Sequence, residues 1–200
     1  MRDPENILGV VAALPDFLGF IFYPKSKRFA GFEPSSEILE AIPDSIKKAG
    51  VFVDEIRERV LEIAASWKLN VVQLHGNETP EYCELIKNSG MVVFKAFSVD
   101  EQFDFAGLTA YSKVCDYFLF DTKGQLPGGT GQKFNWKLLE NYTGVVPFFL
   151  SGGIGPDDLQ TIRNFEHLRW YGIDINSGFE IIPGLKDVDK VREFISGIRV

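Results

Sequence analysis

Short, continuous apolar runs recur along the chain, and between them lie stretches whose apolar residues fall three and four positions apart. The first run is Phe17-Leu18-Gly19-Phe20-Ile21-Phe22. A run that is apolar at successive positions reads as a strand covered on both faces. By this criterion residues 17–22, 48–53, 70–76, 91–97, 117–120, 147–154 and 170–178 are seven strands. The intervening segments predict helices: 35–42, one capped by Asp54 and running to Trp67, and one opened by Thr79-Pro80 and ending near Ser89. A looser helix is expected over 103–111, then helices at 135–142, 156–164 and 188–198. One helix stands ahead of the first strand. Asp3 is its N-cap, Pro4 its first residue, and Ile7, Leu8, Val11 and Leu14 share a face.

Strict strand–helix alternation argues for a parallel sheet with helices outside it. Units of this length suit a (β/α)₈ TIM barrel, with a doubly wound sheet as the rival. Two glycine turns on the last two strands favour the barrel, which places a phosphate site there. The expected architecture is one (β/α) barrel domain over residues 1–200. The leading helix has no strand of its own, so the first barrel strand is expected to be missing. The sheet should then run from 17–22 round to 170–175 and leave a gap between them. Open strand edges of this kind can promote dimerisation or aggregation, which puts a homodimer among the expected partners.

Composition narrows the picture. Two hundred residues with 45% apolar content can build a real core, and eighteen Phe suggest one made of large rings. A net charge of −7 without a basic block argues against nucleic acid. No run approaches the roughly 18 apolar residues of a membrane span. Cys83 and Cys115 have no framework or metal spacing and fit structural thiols in a reducing cytoplasm.

The candidate chemistry lies at the strand ends, where barrels bind ligands. Tyr117-Phe118-Leu119-Phe120 ends on Asp121, ahead of a loop with Gly128-Gly129-Thr130-Gly131. Asp121 is the first catalytic candidate, with a turn-capping role as the alternative. Such a loop is kept where backbone must move or approach a ligand. Ser151-Gly152-Gly153-Ile154-Gly155 and Asn176-Ser177-Gly178 suggest a phosphomonoester held by backbone N–H groups and a hydroxyl. Arg28, flanked by Lys25 and Lys27, either receives a carboxylate or belongs to a solvated basic loop. His75 is either an acid–base group or a structural histidine. Asp174, inside an apolar strand, needs a partner and can orient a ligand hydroxyl.

These motifs resemble the phosphoribosylanthranilate isomerase family. The likeness rests on residues 19–28 (Gly-Phe-Ile-Phe-Tyr-Pro-Lys-Ser-Lys-Arg), Val72-Gln73-Leu74-His75-Gly76, Phe120-Asp121-Thr122-Lys123 with its glycine loop, Leu150-Ser151-Gly152-Gly153-Ile154, and the stretch from Gly172 to Asp187. It implies an Amadori rearrangement, without cofactor or metal, of N-(5-phosphoribosyl)anthranilate to 1-(2-carboxyphenylamino)-1-deoxyribulose 5-phosphate in tryptophan biosynthesis. It makes Asp121 the general acid, which must carry its proton to open the sugar ring. It assigns Arg28 to the anthranilate carboxylate, His75 and Asp174 to the substrate lining, and Gly131, Gly152, Gly153, Ser177 and Gly178 to the phosphate.

The sequence departs from the family in one respect. The family's general base is a cysteine in a Cys-Gly pair ending the first strand, just ahead of the residues seen here as Met1-Arg2-Asp3-Pro4. Neither Cys83 nor Cys115 takes its position. The same segment would hold the strand absent from the alternation, about eight residues in all. The expectation is an impaired isomerase. A barrel that binds a sugar phosphate without turnover is the alternative. Another phosphate-binding barrel enzyme is a third reading, but the acid–base lysine or metal-binding histidine set it would need is not found.

Overall fold

The computed structural model describes residues 1–122 and 135–199. Helix α1 (Pro4–Val11) leads, with the Asp3 carboxylate accepting from the N–H of Asn6 as expected. Seven strands follow: β1 (Phe17–Ile21), β2 (Lys47–Phe52), β3 (Val71–Leu74), β4 (Val92–Val99), β5 (Tyr117–Thr122), β6 (Phe148–Leu150) and β7 (Trp170–Ile173). Each pairs in parallel with the next, so the sheet order is the chain order, with β1 and β7 at its edges.

The sheet is curled. Five strand steps separate β1 from β6, which in a flat sheet is about 24 Å at the usual spacing. Yet the rings of Phe17 on β1 and Phe149 on β6 lie 5.6 Å apart, and both approach Phe94 on β4. Residues that alternate along each strand therefore enter two different cores. On β5, Phe118 and Phe120 pack outward under the helices, whereas Tyr117 and Leu119 join Ala49, Val71, Phe94, Ala96 and Phe149 inside the curl. Asp121 continues the inward series at the strand's C-terminal end.

The outer layer is α2 (Ser36–Ala41), α3 (Arg57–Ser66), α4 (Pro80–Lys87), α5 (Leu159–Arg163) and α6 (Val188–Ile198). Three sequence expectations are corrected here. The crossovers after β4 and β5 are 3₁₀ helices, Phe105–Tyr111 and Trp136–Asn141, held by Asp104 and Asn135 side-chain caps. Gly107, Thr109 and the aromatic residues of the first segment are weak α-helix formers. Asp54 does not cap α3: Ile56 does, and the Asp54 carboxylate accepts from the N–H of Asn77 in the next loop. The last strand stops at Ile173, and an antiparallel hairpin, β8 (Glu180–Ile182) and β9 (Leu185–Lys186), turns at Pro183-Gly184. Among the described residues no helix is long and apolar enough to cross a membrane.

Candidate active site

Four polar side chains arrive at one end of the curled sheet because they sit at or just past strand C-termini on inward positions. They are His75 after β3, Asp121 on β5, Ser151 after β6 and Asp174 after β7. A cavity of about 580 Å³ opens there, lined by all four and by Arg28, Gln73, Gly152, Gly153, Ser177 and Lys186. Its deeper wall is apolar, with Phe94, Leu119 and Phe149. A cavity of this size with a few converging polar groups is the usual form of a small-molecule site.

His75 Nε2 lies 3.3 Å from Asp121 Oδ2, and both side chains are mostly buried. Asp121 Oδ1 accepts from the N–H of Thr122 at 2.8 Å. On the other side of the imidazole, Gln73 Nε2 lies 3.0 Å from His75 Nδ1. Asp174 is half-buried, and the Ser151 hydroxyl donates to its Oδ2 at 3.2 Å. Burial, with the nearby Asp121 charge adding to it, holds the Asp174 carboxyl above the ordinary carboxylate range. Lys186, His75 and the Ser151 hydrogen bond offset part of that rise.

Gly152 explains how β6 comes so close to Asp121. Its φ is +87°, and a Cβ there would meet Thr122 Oγ1, the Thr122 N and Asp121 Oδ1. Only a residue without a side chain lets the Ser151–Gly153 turn lie against the acid. Gly178 does the same between the last two turns, since a Cβ on it would collide with the Ile154 carbonyl. The phosphate candidates Gly152, Gly153, Ser177 and Gly178 are thereby gathered at the ends of β6 and β7. Gly131 and the rest of the 128–131 loop lie outside the described residues.

Arg28 is already engaged. Its Nε and Nη2 reach Glu180 Oε2 at 2.8 and 2.7 Å, and Lys186 Nζ lies 3.3 Å from Glu180 Oε1. Burial pushes the Glu180 carboxyl up, but the Arg28 hydrogen bonds and the Lys186 charge outweigh it and hold the group below its usual range. Burial likewise lowers the Lys186 ammonium. Lys186 donates to the Asn176 carbonyl and side chain at 2.9 and 2.6 Å, tying the hairpin to the end of β7.

Sequence reasoning misses Gln73, Glu78, Lys95, Glu180 and Lys186. Lys95 is almost fully buried in β4, donating to the carbonyls of Leu74, Gly76 and Ala96, and lies 3.2 Å from Glu78 Oε2. Glu78 accepts from the N–H groups of Asp54 and Gly76. This pair fixes the turn that carries His75. The signal was a lysine inside an otherwise apolar strand, which burial obliges to find a partner.

Comparison with known proteins decides the lineage. The sequence profile described as N-(5′phosphoribosyl)anthranilate (PRA) isomerase matches residues 1–197. The chain belongs to this family. An N-(5′-phosphoribosyl)anthranilate isomerase of Parabacteroides distasonis is 47% identical over 199 residues, covering 99% of this chain and 90% of that protein. The crystal structure of phosphoribosyl anthranilate isomerase from Thermotoga maritima superposes with a TM-score of 0.89 at 34% identity, covering 100% of this chain and 95% of that one. A second, at TM-score 0.85 and 32% identity with the same coverage, is an isomerase in complex with reduced 1-(o-carboxyphenylamino)-1-deoxyribulose 5-phosphate. The family consists of isomerases of tryptophan biosynthesis, and a phosphorylated small molecule fits the cavity's size and glycine turns.

Proposed function

We propose that the strand-end groups of this chain serve the Amadori rearrangement of N-(5-phosphoribosyl)anthranilate. Asp121 gives its proton to the ring oxygen of the furanose, and the C1–O bond breaks to leave a protonated Schiff base. A base then removes the proton from C2, and the electron pair moves toward nitrogen to give the enolamine, which tautomerises to the ketone. One proton enters and one leaves, so the net change is isomerisation. The single observation that carries this reading is the convergence of Asp121 and His75, 3.3 Å apart, on the cavity.

Arg28 is the proposed contact of the anthranilate carboxylate, sharing its fork with Glu180. Asp174, its carboxyl raised by burial, is suited to donating to a sugar hydroxyl. Gly152, Gly153, Ser177, Gly178 and Gly131 are the proposed phosphate grip. Buried free thiols at Cys83 and Cys115 support a cytoplasmic setting.

The base is the weak link of these 200 residues. Cys83 and Cys115 are buried, and neither lines the cavity. The first barrel strand, which the family resemblance says would carry the cysteine, is proposed to belong between the β1 and β7 edges. A homodimer through those edges is part of the same reading, and a monomer mass by light scattering removes it. Loss of a single acid–base group typically costs about 10²–10⁴-fold. The test follows the loss of phosphoribosylanthranilate fluorescence, with substrate generated in situ, in this chain and in one extended at its N-terminus by a strand ending in Cys-Gly. Turnover at least about 100-fold higher in the extended chain is expected. Equal turnover would mean that another residue is the base. Binding of a product analogue without turnover in either chain would establish a binding-only barrel.

A further inference from the structure

Gln73 is buried on the inner face of β3, two residues before His75, and its side chain is spent on the imidazole. The amide nitrogen of a glutamine only donates, so Nδ1 must accept, and the single ring proton must sit on Nε2. Nε2 is the atom that faces Asp121 Oδ2. Once Asp121 has given up its proton, its carboxylate only accepts, so this neighbour then also requires Nε2–H. The two neighbours demand the same tautomer from opposite sides of the ring. Doubly protonated imidazolium is disfavoured, because its Nδ1–H would point at the Gln73 NH₂ group.

We propose that Gln73 is a positioning residue that holds His75 neutral, as the Nε2–H tautomer, and aims that N–H at Asp121. The proposal rests on the reading of Asp121 as general acid and adds a reason for a glutamine beside the histidine. A neutral donor steadies the carboxylate that remains once Asp121 has given up its proton. An imidazolium in the same place would hold Asp121 ionised before the reaction begins, because an opposite charge within hydrogen-bond reach favours the charged form. Asp174 is a further carboxyl that interacts with the ring, and its ionisation is held back by burial. The direct contacts at the two ring nitrogens are those of Gln73 and Asp121.

The test is long-range ¹H–¹⁵N correlation on this chain labelled at histidine nitrogen. The chain has two histidines. His167 is an internal reference, because its Nε2 lies 3.1 Å from the Tyr142 carbonyl and its Nδ1 accepts from the Arg169 N–H at 3.0 Å. It is therefore also an Nε2–H ring, built away from the cavity. Native His75 should show the neutral Nε2–H pattern. Gln73→Met keeps the volume and removes the donor, and should give a mixture of tautomers at His75 with the His167 signals unmoved. Gln73→Glu replaces the donor by an acceptor, and should raise the pH at which His75 takes its second proton by at least about one unit. Nδ1–H in the native protein, or an unchanged Nε2–H pattern in Gln73→Met, overturns the proposal. Should Gln73→Glu not fold, Gln73→Met decides alone. The acid assignment is checked separately by turnover of Asp121→Asn in the extended chain. Turnover there, with the tautomer results intact, removes the acid role and leaves the placement of the histidine standing.

Discussion

Replacing Glu78 by Ala tests how the His75 turn is built. Glu78 and Lys95 are both nearly inaccessible, at 6% and 2% exposure. The substitution strands the Lys95 ammonium and removes the acceptor of the Asp54 and Gly76 N–H groups. Breaking a buried pair from one side costs about 3–5 kcal/mol. Lys95 keeps three carbonyl acceptors, which compensate part of its charge, so the low end, about 3 kcal/mol, is expected. For a chain of this size that lowers Tm by roughly 6–12 °C, and urea unfolding followed by circular dichroism measures the loss directly. Glu78→Gln retains one acceptor oxygen and should lose less. The double variant Glu78→Ala/Lys95→Met is the sharper check, because removing both charges should recover stability relative to the sum of the single losses. A loss below about 1 kcal/mol for Glu78→Ala, or strict additivity in the double variant, would refute the view that this pair holds the turn.

Three further outcomes follow from the same geometry. Asp121→Asn, made in the extended chain, should lower turnover by about 10²–10⁴-fold while a product analogue still binds; retained turnover in the fluorescence assay removes Asp121 from its role. Gly152→Ala should destabilise by about 1–3 kcal/mol in urea titrations, from a forced positive φ and contact with Thr122 and Asp121, and a neutral result contradicts the close approach. Asp174 has its folded pKa raised above its ordinary value of 3.8, so the folded state binds the proton more tightly than the unfolded chain. Its contribution to stability is therefore full below pH 3.8 and declines as pH rises through the folded pKa. Stability of the native chain relative to Asp174→Asn should fall over that interval, and a pH-independent difference would exclude the burial penalty.

The layout of this fold was legible because the strands are mostly apolar runs and several helices carry their own start signals. Asp3-Pro4, Ser35 and Thr79-Pro80 cap α1, α2 and α4 where their chemistry says they should. The Asp54 misreading comes from tertiary competition for a local group, and the 3₁₀ segment Phe105–Tyr111 from weak helix formers. Asp54 looks like a helix cap in isolation, but Asn77, from the next loop, takes its carboxylate. Glu180-Ile181-Ile182 carries no strand reading of its own and becomes one only by pairing with Leu185-Lys186 across Pro183-Gly184. Asp121, His75 and Asp174 were readable from their place at strand ends. Their partners were not, because Gln73 and Lys95 lie in apolar runs where a polar residue announces burial without naming what it meets. Arg28 is the clearest case: its suitability for a carboxylate was visible, but that the chain itself supplies one, Glu180, was not.

The electrostatics of the cavity form one problem. Two carboxyls, Asp121 and Asp174, face a common space, and the Asp121 charge raises the cost of ionising Asp174. Burial adds to that cost, so Asp174 is driven toward the neutral form. The more Asp174 stays neutral, the less an ionised Asp121 meets a second adjacent anion. Glu180 engages both Arg28 and Lys186, and the Lys186 charge still offsets part of the rise on Asp174. Were Glu180 replaced by Gln, the Lys186 charge would act on Asp174 with less opposition and favour its ionised form. On the proposed reading of Asp121 as the acid, the Gln73 amide that faces the neighbouring histidine is what guards its proton.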